Sequence, residues 1–67
     1  MWSDELQKQT KEYFEKLPLA RMKHFGDSRF GAGALKDEKY IIMEDNTSKE
    51  YRFNSIEELI DAGWAID

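Results

Sequence analysis

The 67-residue chain has no cysteine, one histidine and one proline. Without cysteine, neither a disulfide framework nor a thiolate metal site can support it. The lone His24 falls short of the usual zinc spacings, so the sequence implies no metal and no cofactor. Long apolar runs are missing too. The longest, Tyr40-Ile41-Ile42-Met43, is far shorter than the roughly 20 residues a membrane-spanning helix needs. No stretch resembles a secretory signal, and a soluble cytoplasmic protein is the expectation, with no membrane partner. Asn46-Thr47-Ser48 fits the glycosylation pattern but in this setting reads as a plain turn.

What the chain does contain points to one small domain over residues 1–67. Hydrophobic residues make up 40% and aromatics 13%, enough for a single core and too many for a disordered tail. A chain this short buries only about 60% of the surface it exposes when unfolded. The net charge is −4 and unevenly spread. Residues 21–43 carry Arg21, Lys23, Arg29, Lys36 and Lys39 against Asp27, Asp37 and Glu38, whereas residues 44–67 carry two cations against seven acids. An acidic chain is a poor general nucleic-acid binder, because phosphate contacts supply most non-specific affinity.

Two helices and two strands stand out. Ser3 can cap a helix running to Leu17, with Asp4 and Glu5 complementing its positive end and Leu6, Thr10, Tyr13, Phe14 and Leu17 on one stripe. Pro18 ends it by pushing Leu17 out of the helical region. Residues 18–25 are ambiguous: Leu19, Met22 and Phe25 favour a short helix or turn over a strand. Gly26 to Gly33 reads as a loose loop leading to a short strand near Ala34-Leu35, and Lys36-Asp37-Glu38 as a polar turn. Lys39–Glu44 and Glu50–Phe53 read as strands joined by an Asp45–Lys49 hairpin loop. Ser55 and Glu58 then form a capping box for a closing helix that buries Ile56, Leu59 and Ile60. Gly63 ends it, with Trp64 folding back over Leu59 in a Schellman cap, and residues 65–67 finish as an edge strand or a tail packed by Trp64. The expected fold is α+β: an N-terminal helix, an antiparallel β-hairpin or three-stranded meander, and a C-terminal helix, with the helices on one face of the sheet.

Catalytic patterns are incomplete. Gly26 and Gly31 have the glycine spacing of a phosphate loop, but Ala32-Gly33 stand where Lys-Ser/Thr is required. Gly31-x-Gly33 lacks the third glycine of a dinucleotide fingerprint. His24 with Asp27, Ser28 and Arg29 lacks an orienting partner and a cleft, and is expected to be a surface histidine beside a turn. Glu44/Asp45 and Glu57/Glu58 are sequence neighbours, so their side chains diverge. The run Asp45 to Glu50 is too short for a calcium loop. No enzyme is expected.

Two surface features remain. The basic, aromatic-interleaved residues Arg21, Lys23, Arg29 and Lys36 could grip a phosphate backbone, although Phe25 and Phe30 are expected to anchor that loop to the core while the charges stay solvated. The acidic set Glu44, Asp45, Glu50, Glu57, Glu58 and Asp61 could form one negative face if hairpin and helix lie side by side. The closing pattern Tyr51-x-Phe53-x-Ser55-Ile-Glu-Glu-Leu-Ile-x-x-Gly63-Trp64 resembles the ends of small acidic phage and prophage accessory proteins. That resemblance implies an inhibitor or anti-CRISPR-type modulator of a host nuclease or other nucleic-acid-handling protein, and carries no functional residue with it. The leading expectation is thus a non-enzymatic binding module, monomer or weak homodimer, with an acidic hairpin–helix surface for a basic partner. A self-associating adaptor, pairing through a sheet edge or the Trp2/Trp64 apolar surfaces, and a small nucleic-acid binder using the basic set are the alternatives.

Overall fold

The computed structural model describes residues 1–47 and 49–67. Ser48, within the Asn46-Thr47-Ser48 pattern and the hairpin loop, lies outside the described residues. Seven elements follow one another: α1 (Asp4–Lys16), β1 (Leu19–His24), β2 (Phe30–Lys36), β3 (Lys39–Glu44), β4 (Glu50–Phe53), α2 (Ile56–Asp61) and β5 (Trp64–Ile66). The five strands form one antiparallel sheet in the order β4-β3-β2-β1-β5, so α2 carries the chain from one edge to the other. Phe14 of α1 and Leu59 and Ile60 of α2 share the core with Ala20, Met22, Ile42 and Trp64. Both helices therefore cover the same face, and the molecule has two layers.

The helix ends follow their side chains. Ser3 Oγ accepts from Leu6 N at 3.2 Å, and Ser55 Oγ accepts from Glu58 N at 3.2 Å. The capping box differs in one bond: the Glu58 carboxylate accepts from Asn54 N at 2.7 Å, one residue before the expected Ser55 N–H. Gly63 takes φ +102 and donates to Ile60 O at 2.9 Å, as a glycine stop requires. Residues 64–66 become edge strand β5 beside the second half of β1.

Two expectations are corrected. Residues 19–24 form a strand, not a short helix or turn, and β2 begins at Phe30, well before Ala34. The sheet thus has five strands where a hairpin or three-stranded meander was expected. Leu19, Met22 and Phe25 mimic helical spacing, but it is Ala20 and Met22 that are buried while Leu19 and Phe25 stay exposed, an alternation of period two. Gly33 belongs to a strand because the core needs the space: an added Cβ would meet Met22 Cγ at 2.9 Å and the Phe14 ring at 3.3 Å.

Thr10 clamps helix to sheet. Fully buried, its hydroxyl donates to Leu6 O at 2.8 Å and accepts from Ile66 N at 3.2 Å, tying α1 to β5. Trp2 reaches the same edge, its indole N–H donating to Gly63 O at 2.7 Å and its ring meeting Phe25 edge-on and Lys23 Nζ at 5.1 Å.

Candidate functional site

Strand alternation decides where each candidate residue goes. On the helix-covered face, His24, Glu44 and Tyr51 converge near the end of α2, joined by Asp27 and Arg29 from the β1–β2 loop. Asp27 accepts from Arg29 N and from Arg29 Nε, each at 3.0 Å, and these bonds hold its carboxyl below the usual carboxylate range. Arg29 Nη2 lies 3.1 Å from both ring nitrogens of His24, which places it over the face of the imidazole. His24 Nε2 is 2.8 Å from Ala62 O at the end of α2, and Nδ1 is 3.2 Å from Asp27 Oδ1. Arg29 Nη1 donates to Tyr51 OH at 3.3 Å, and Tyr51 OH donates to Glu44 Oε1 at 3.0 Å. Thr47 Oγ1 supplies a second donor to the nearly buried Glu44 at 3.1 Å.

This cluster is more ordered than a surface histidine beside a turn. The His24 ring packs edge-on against buried Trp64, with centroids 4.9 Å apart. Its polar atoms nevertheless face one another, and neither of the two grooves described is lined by them. The two depressions described are open grooves elsewhere, one lined by Tyr13, Leu19, Ala20, Arg21, Ala32 and Gly33, the other by Gln9, Glu12, Tyr13, Lys16 and Ile66. Among the described residues, no three His, Asp or Glu side chains converge as a metal site would require. No helix described is long and apolar enough to cross a membrane.

The chain matches no protein-family model, and no curated protein and no solved structure is significantly similar to it.

The six acidic candidates do not share one surface. Glu44 is buried in the cluster just described. Asp45 turns to the helix-free face of the sheet, where Arg21 holds it in a two-point ion pair that depresses its carboxyl pKa. Glu50 lies on that same face and accepts from Arg52 Nε at 2.8 Å. Only Glu57, Glu58 and Asp61 stay together, exposed on α2, and Glu57 reaches Lys11 of α1 at 3.7 Å. The basic candidates divide as well. Arg21, Lys23 and Lys36 point to the helix-free face, whereas Arg29 turns into the polar cluster. Phe25 and Phe30 do not anchor the loop; they are 45% and 42% exposed. Trp64 is buried and offers no surface.

The structure instead sorts charge by layer. The exposed surfaces of α1 and α2 carry Asp4, Glu5, Glu12, Glu15, Glu57, Glu58 and Asp61 against Lys8, Lys11 and Lys16. The helix-free face carries Arg21, Lys23, Lys36, Lys39 and Arg52 against Asp45, Glu50 and Asp67. Sequence blocks hid this, because alternate residues of one strand leave for opposite layers.

Proposed function

We propose that the protein is a non-enzymatic binding module that presents the acidic surface of its helix layer to a basic partner protein, of the kind that handles nucleic acid. The observation that carries this reading is the separation of charge between layers: a surplus of carboxylates on the helices, rigidly backed by a sheet of opposite sign. Such a field speeds and orients encounter with a cationic surface. The resemblance of residues 51–64 to phage accessory proteins points the same way. A binding role also suits a polar cluster whose groups are engaged with one another and not aimed into a cleft.

The test is charge reversal on α2. Glu57→Lys with Asp61→Lys removes exposed acids while sparing Glu58, whose carboxylate closes the helix cap. Affinity capture from host lysate should retain basic proteins on the wild type, release them as salt is raised, and lose them with the reversed variant. Capture that survives both reversal and high salt would refute an acidic docking surface.

A further inference from the structure

Among the described residues, no helix covers the second face of the sheet, and its residues fall into two central rows. One row runs Arg52, Ile41, Ala34, Leu19 from β4 to β1; the next runs Glu50, Met43, Ala32, Arg21. Leu19 is 66% exposed and Met43 45%, while the alanines between them leave the middle of the face shallow. Each row places a large apolar side chain on β3 and a small one beside it on β2.

We propose that this face binds a second copy of the chain, sheet against sheet, about a two-fold axis parallel to the strands between β2 and β3. Under that axis β3 of each copy lies over β2 of the other. Ile41 then covers Ala34 and Met43 covers Ala32, twice each, the large-over-small interdigitation that close packing demands. The same operation sets β4 over β1, so Glu50 of one copy faces Arg21 of the other and the Arg52 stem lies along Leu19. The interface is self-complementary, as an isologous contact must be. Lys36 and Lys39 lie beyond these rows, at the turn end, where sheet twist carries the two copies apart.

Size agrees with this occupant. The molecule measures 28 × 27 × 17 Å, and a two-layer domain is thinnest across its layers. The 28 × 27 Å extents cap the face at roughly 750 Å², and the four facing strands fill only part of it. That places the contact below the ~800 Å² per partner of a standard interface and suits a dimer that forms only at high protein concentration. A nucleic-acid strand fits less well. Asp45, Glu50 and Asp67 stand among the five cations of the face and would repel phosphates, and Lys23 lies over Trp2. The dimer would turn both acidic helix layers outward.

Sedimentation equilibrium, over protein concentrations from about 1 μM to 1 mM, tests the pairing. The wild type should approach twice its 7.9 kDa mass. Ala32→Glu, at an exposed position, should remain monomeric with an unchanged circular dichroism spectrum. Ala32→Met alone sets methionine over methionine and should weaken the dimer about tenfold or more. Adding Met43→Ala restores large over small and should recover it, which a merely destabilised fold would not do. A wild type that stays monomeric throughout, an Ala32→Glu variant that still dimerises, or a failed rescue would overturn the proposal. So would binding of a single-stranded oligonucleotide that Ala32→Glu abolishes, which would assign the face to nucleic acid.

Discussion

Asp27 shows how one carboxylate organises a loop. Its side chain accepts from the Arg29 backbone and guanidinium together and faces His24. Its folded pKa is depressed, so its stabilisation is complete above the unfolded-state value, about 3.9, and is lost as pH falls through the folded value. Asp27→Asn keeps the oxygen that closes the turn and removes the charge. Thermal melts should find the variant less stable than the wild type between pH 5 and 7, with the gap closing below about pH 4. A gap independent of pH would mean that the charge contributes nothing. Glu44 is the residue that sequence reasoning misplaced most. It follows Ile42 by two positions in β3 and so must share that residue's buried face, yet its charge marked it for the surface. The available signal was the donor Tyr51, which directly follows the exposed Glu50 in β4 and therefore faces the interior, as Glu44 does.

At the scale of elements, legibility followed the strength of local signals. Ser3 and Ser55 marked both helix starts, Gly63 marked a stop, and β-branched and aromatic residues marked β3 and β4. Strands β1 and β2 were hidden because Ala20, Gly31 and Gly33 have weak strand preferences; Gly33 leaves room for Met22 and Phe14, and Gly31 lies against the backbone of Met43. The turn between β2 and β3 was visible as polar, but both of its central residues, Asp37 and Glu38, take positive φ, where glycine or asparagine is usual. Thr10 joins the two layers, and its role is measurable. Thr10→Val keeps shape and branching while leaving Ile66 N without its acceptor. The expected loss is about 1–2 kcal/mol, enough to lower Tm by several degrees in a domain this small. An unchanged Tm would mean that the strand N–H is satisfied elsewhere.

At the scale of the molecule, segments that look basic or acidic along the chain are redistributed into an acidic helix layer and a cationic open sheet. That division was not legible beforehand, because it depends on which neighbours pair across the sheet and on where α2 crosses it. The architecture also predicts that stability is not spread evenly. Residues 64–67 supply buried Trp64 and Ala65 together with the strand that α1 and α2 both pack against. Deleting them should abolish the cooperative thermal transition and expose apolar surface to a hydrophobic dye, instead of shaving a few degrees from Tm. A truncated chain that still melted sharply would show the four remaining strands to be self-sufficient.

The contacts of α1 with β5 have a further consequence, in time. The first helix finds its principal sheet partner in the last strand, and the Trp2 indole bonds a carbonyl 61 residues away. A ribosome therefore releases the helix long before the strand it needs exists. The β1–β4 meander can form from contacts close in sequence, but the core closes only once residues 64–66 are in place, and until then Phe14 and the apolar side of α1 await their cover.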